Sequence, residues 1–200
     1  EADPWRRAEL ATQVARALGL QERFADADAL LDALDPLDDV VRARIALERG
    51  RVRNSSGDPA AAVPLFADAA RIAEPAGLDF LHVDALHMLA IADPARSEAW
   101  VAHALEVLDR VTDPRTLRWR VSLHNNRGWS RFDAGALDAA LADLGPVAES
   151  SCSDRPIVTP ELSSSGRIVL AWPSRSPSPT SSGSWWRICS IRPVEGARRR

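Results

Sequence analysis

The chain has 200 residues, with 25 basic and 28 acidic side chains and a net charge of −3. That balance argues against a nucleic-acid binder held by phosphate charge alone. No apolar run approaches the ~18 residues of a membrane span, and the opening Glu1-Ala2-Asp3-Pro4 is acidic and proline-broken, unlike a secretory leader.

Asp-Pro pairs stand at 3–4, 35–36, 58–59, 93–94 and 113–114. Aspartate caps the free amides of a first helical turn, and proline is tolerated at the first helical position, so each pair predicts a helix start. Apolar residues recur at helical spacing between the starts. Leu10, Val14, Ala17 and Leu18 share one stripe, as do Val41, Ile45, Leu47 and Val52 in part, and Leu81, Ala85, Met88 and Leu89. The pattern predicts eight helices at 4–18, 21–34, 36–55, 59–73, 78–91, 94–110, 114–132 and 136–148. Pro64 should bend the fourth helix or delay its start.

Composition changes near residue 150. Residues 1–150 hold 32 Ala and 6 Ser, whereas 151–200 hold 2 Ala and 12 Ser. The first part carries 17 Arg against 25 acids, and the tail 8 Arg against 3. Two domains follow: a helical 1–149, and a non-helical Ser/Pro/Arg-rich tail at 150–200. The tail holds both cysteines, Cys152 and Cys189, the apolar stretch Ile168–Trp172, Trp185 and Trp186, and Arg198-Arg199-Arg200. Three readings fit it: a non-native end produced by a frameshift in GC-rich DNA, true disorder, or a small folded unit. Every basic residue is Arg and there is no Tyr, the codon signature of a GC-rich, bacterial genome. The absence of an initial Met fits a fragment or a processed chain.

An internal repeat underlies the helices. Gly50, Gly57, Ala62, Phe66 and Ala69 are matched at identical intervals by Gly128, Gly135, Ala140, Leu144 and Val147, 78 residues on. A middle copy supplies Ser97, Val101 and Ala104 after Leu86-x-x-Leu89-Ala90. Small residues let paired helices approach, and a large residue one turn away fills the groove beside them.

This spacing resembles the tetratricopeptide repeat. Gly50, Ala90 and Gly128 match the small position of that family's first helix, and the small–large–small triplets match its second. The stretch His124-Asn125-Asn126-Arg127-Gly128-Trp129 is the best single match, with Arg127 where the family favours Leu. Two repeats in 78 residues make about 39 each, longer than the usual ~34. The resemblance covers 36–148, and 4–34 only after a shift. It implies an all-α, right-handed α-solenoid of antiparallel helix pairs, with a concave groove lined by first helices. Groove residues would be Arg44, Glu48, Arg51, Asp84, His87, Ser122, Asn125, Asn126 and Trp129. Adjacent Asn amides suit a peptide backbone, but the Lys residues of a carboxylate-gripping clamp are absent. The implied function is a cytoplasmic scaffold binding a protein or peptide partner, without cofactor or catalysis. The alternative is the sensing or assembly fragment of a larger bacterial transcriptional activator or regulatory ATPase.

Other chemistry finds no motif. His82 and His87 diverge by about 140° around a helix, whereas a metal pair needs i,i+4 spacing. His103 and His124 would have to join them in space, so no metal ligand is assigned. The run Asp26, Asp28, Asp32, Asp38 and Asp39 lacks the glycine and terminal glutamate of a calcium loop. It reads as a solvated face. No Gly-rich phosphate loop and no Gly-x-Ser-x-Gly elbow is present.

Overall fold

The computed structural model describes residues 4–36, 38–150, 160–162 and 168–170, with side chains as far as 145. The chain divides into two compact units, Glu1–Arg155 and Pro156–Arg200. The described residues of the first are all-helical apart from turns. They comprise α1 (Pro4–Leu20), α2 (Phe24–Asp32), α3 (Asp39–Ser55), α4 (Pro59–Ala73), α5 (Asp79–Ala92), a 3₁₀ turn (Pro94–Arg96), α6 (Ser97–Leu108), α7 (Pro114–Leu117), α8 (Trp119–Asp133) and α9 (Leu137–Ser150). In the second unit, β1 (Pro160–Leu162) pairs antiparallel with β2 (Ile168–Leu170), Glu161 opposite Val169. Those strands fall inside the stretch expected to be non-helical. Cys152, Trp185, Trp186, Cys189 and the terminal arginines lie outside the described residues.

The Asp-Pro starts divide by what each carboxylate finds. Asp58 accepts from the Ala61 amide and caps α4. Asp113 accepts from the Arg115 and Thr116 amides and caps α7. At 35–36 the expectation needs correction, because α3 begins at Asp39 and Asp38 is its cap, accepting from the Val41 amide. At 93–94 the pair opens only the 3₁₀ turn, and Asp93 accepts from Trp100 Nε1 at 3.1 Å. The seventh expected helix is interrupted at Arg118, leaving the short α7 before α8. Pro64 delays nothing, since α4 starts at Pro59 and runs through it.

Helices pair as hairpins α1–α2, α3–α4, α5–α6 and α8–α9. Gly57 and Gly135 carry φ of +91° and +78° in the α3–α4 and α8–α9 turns, a backbone region closed to most side chains. Hydrogen bonds in these two turns match one for one: Asp58 N to Arg53 O answers Ala136 N to Arg131 O, and Gly57 N to Asn54 O answers Gly135 N to Phe132 O. Close approach recurs too. A Cβ on Gly50 would run into the Phe66 ring, and one on Gly128 would sit 2.8 Å from Leu144 Cγ.

The first helices of the hairpins form a continuous row, α1 packing on α3, α3 on α5 and α5 on α8. The second helices α2, α4, α6 and α9 make no comparable contact with one another among the described residues. Each of α2, α4 and α6 instead packs on the next first helix. The main core runs from Ala43 and Leu47 through Phe66, Leu86 and Leu89 to Val101, Leu108 and Leu123. A smaller cluster of Ala15, Ala27, Leu31 and Val52 joins α1, α2 and α3. In α1 the expected stripe holds only at Leu18, which packs on the smaller cluster, and Ala17 is exposed. Leu10 and Val14 are 65% and 51% exposed, and the helix buries Ala8, Thr12 and Ala15. Packed along one side only, it offers its small residues to its neighbours, because they let the backbones approach.

Candidate functional site

The nine residues expected in a groove all belong to α3, α5 and α8, and the structure links most of them into one polar strip along the row of first helices. On α3, Arg51 donates to Glu48 and on to Asp84 of α5, both at 2.5 Å. Arg16 of α1 stands 3.7 Å from the same Glu48 carboxylate. Arg44 donates to Glu9 of α1 at 2.8 Å. One turn beyond Asp84, the Asn126 amide of α8 donates to His87 Nε2 at 2.9 Å, and the Asn125 amide lies 3.5 Å from Asn126 Oδ1. Trp119 packs its ring on His87, with centroids 5.0 Å apart. Ser122 and Trp129 are half-buried on α8, and Trp129 meets Phe132 edge to face.

Burial separates these residues. Glu48 and Asp84 are 2% and 4% exposed and Arg51 is enclosed between them, so they brace the helices. Ser122, Asn125, Asn126 and Trp129 keep partial access to solvent. The electrostatics follow from that enclosure. Burial pushes the Glu48 carboxyl up, partly offset by Arg51 and Arg16. Burial also works against the Arg51 charge, but Asp84 and Glu48 outweigh it and hold its pKa above the ordinary value. Arg16 is lowered by burial and by the neighbouring Arg51. His87 is pushed down to about 4 by burial, Asp84 opposing and Arg51 and Arg16 assisting. It is therefore a neutral ring at pH 7.

Four buried side-chain atoms have no hydrogen-bond partner among the described residues: Arg44 Nε, Glu48 Oε2, His87 Nδ1 and Trp119 Nε1. All four lie on first helices.

Two groupings escape a reading by sequence. Asp143 of α9, 2% exposed, accepts from Arg127 Nε at 3.0 Å, from Arg131 at 2.8 Å and pairs with His124 Nδ1 at 3.0 Å. Its burial opposes ionisation, but the Arg127 and His124 hydrogen bonds prevail and hold the carboxyl below its ordinary value. Arg127, the departure from the repeat pattern, is thus an ion-pair partner; its i,i+4 neighbour Arg131 was the available signal. The second grouping joins Glu74, His82 and His103, whose ligand atoms all lie within 4.8 Å of one another. His82 and His103 are 21 residues apart on different helices, so no local spacing announces them.

No helix among the described residues is long and apolar enough to cross a membrane. No family model matches the chain, and no curated protein matches it.

Proposed function

We propose that residues 4–150 form a solenoid resembling tetratricopeptide arrays and serve as a non-catalytic scaffold. A peptide or partner domain would lie along the face built by α1, α3, α5 and α8. The observation that carries this reading is the gathering, on that one row, of the four unpartnered buried polar atoms found among the described residues. Buried donors and acceptors are normally paired, and unpaired ones mark places where water or a ligand completes the bonding. The row is also where helices pack consecutively, whereas the described second helices make no comparable contact with one another, an asymmetry expected of an inner, concave side. Charges on the face are already matched by Glu48, Asp84 and Glu9, so recognition falls to the amides of Asn125 and Asn126 and to the Trp129 ring.

Selection of a displayed random-peptide library on the full chain tests this. Selected peptides should lose roughly tenfold or more in affinity, about 1.4 kcal/mol, on Asn126→Ala or Trp129→Ala. Exposed Glu106→Ala on α6 should leave them unchanged. Peptides indifferent to both α8 substitutions would overturn the proposal.

A further inference from the structure

On the second-helix side, three elements converge at the α4–α5 turn. Glu74 follows the last residue of α4, His82 lies in the first turns of α5, and His103 comes from the middle of α6. The two imidazoles meet edge to face with centroids 5.4 Å apart. A cavity of about 200 Å³ opens beside His82, lined also by Glu74, Asp79 and Arg110, with Val107 and Val111 as its apolar wall.

We propose that Glu74, His82 and His103 bind a zinc-type divalent metal ion, with water in the fourth position. Two imidazoles and one carboxylate are a nitrogen–oxygen donor set suited to Zn²⁺. The polarity of the surroundings agrees: Asp79 adds a second carboxylate to the cavity, against one opposing cation, Arg110. In a tetrahedral shell the donors would stand roughly 3.3 Å apart. Closing to that from separations of up to 4.8 Å needs side-chain rotation, for which exposed Glu74 has room. The ion would tie the end of α4 to α5 and α6, on the side of the array where second helices do not touch one another.

Isothermal titration of the full chain with Zn²⁺ tests the site, in a Cys152→Ser, Cys189→Ser background that removes thiol ligands. One equivalent should bind, with a rise in thermal midpoint. Co²⁺ should give the absorption of a tetrahedral nitrogen–oxygen site. Glu74→Gln, at an exposed position that spares the fold, and His103→Gln should each weaken binding roughly tenfold or more. His124→Gln should not change it, and Arg110→Gln should tighten it by relieving the opposing charge. Absence of stoichiometric binding, or Glu74→Gln and His103→Gln binding like the parent, would overturn the proposal. A loss of binding by His82→Ala alone would count only with the folded circular-dichroism signal retained, since that ring is buried.

Discussion

At an offset of 78 residues the α3–α4 and α8–α9 hairpins repeat each other turn for turn, yet they fill the seam between their helices with different chemistry. Arg53 and Arg131 occupy equivalent positions and keep the same job. Each reaches back to the second helix of the preceding hairpin, Arg53 to Asp28 and Arg131 to Glu98, both at 2.8 Å. Arg49 and Arg127 are also equivalent, but they part company. Arg49 pairs with Asp32 of α2, whereas Arg127 turns inward to Asp143. The reason lies across the seam. Ala46 and Leu65 of the first hairpin become His124 and Asp143 in the last. Beside Ala46 and Leu65 the first hairpin leaves an open cleft of about 370 Å³ against α2, with Leu31, Ile45 and Ile72 in its wall and Arg42, Arg49 and Asp68 also lining it, whereas the last seam is closed by a buried ion cluster. A backbone set by a left-handed glycine and a glycine-to-large-residue contact thus tolerates either filling.

The largest expected effect bears on the shared contact. Phe66 is fully buried against Gly50, so Phe66→Ala should cost about 4 kcal/mol in urea unfolding. Leu144→Ala, at the equivalent but slightly exposed position, should cost about 2–3 kcal/mol. Equal losses would show that the two hairpins do not differ in how tightly that contact is enclosed.

Next comes the helix between them. His87 of α5 is neutral when folded, with a pKa of about 4 against its ordinary 6.5. A depressed histidine contributes fully above the unfolded value and progressively less as pH falls from 6.5 toward 4. The loss approaches about 3 kcal/mol. His87→Gln keeps an acceptor for Asn126 and should flatten the stability profile across that window, followed by thermal melts. An unchanged slope would mean that His87 is not the titrating group.

Asp143 sharpens the contrast directly. Asp143→Ala leaves Arg127 and Arg131 without their buried partner and should cost about 2 kcal/mol, reduced from a fully buried pair because both arginines reach solvent. Combining Asp143→Leu with His124→Ala, which copies the first hairpin, should recover at least half. In acid, the lowered carboxyl pKa means that its contribution persists above the unfolded value near ~3.9 and is lost as pH falls through the lower folded value. Asp143→Asn should flatten only that most acidic limb, below the range governed by His87.

The smallest effect concerns the starts of the second helices. Asp58 caps α4 with its side chain, while Ala136, its equivalent, accepts the first helical bond of α9 through its carbonyl alone. Asp58→Ala should cost about 1 kcal/mol, and Ala136→Asp should gain a comparable amount, both measurable by urea unfolding. A neutral Ala136→Asp would show that the two turns differ in spite of their matching bonds.

Local chemistry determined much of this protein from sequence alone. Helix positions followed from apolar spacing and proline starts, because both act within one or two turns of chain. The glycine and triplet intervals exposed the repeat, since steric approach at Gly50 and Gly128 demands the same residue types each time. What escaped was whatever depends on a neighbour distant in the chain. Leu10 and Val14 form a good stripe, but only the packing of α1 on α2 and α3 decides that this stripe faces water. Asp35 and Asp38 are both good caps by residue type, and in the fold it is Asp38 that caps α3. Arg127, a departure from the repeat pattern along the chain, has its reason in Asp143 across the seam. His82 finds His103 only because α5 and α6 fold back on each other. Periodicity is written along the chain, whereas the pairing of charges and rings is decided when helices meet.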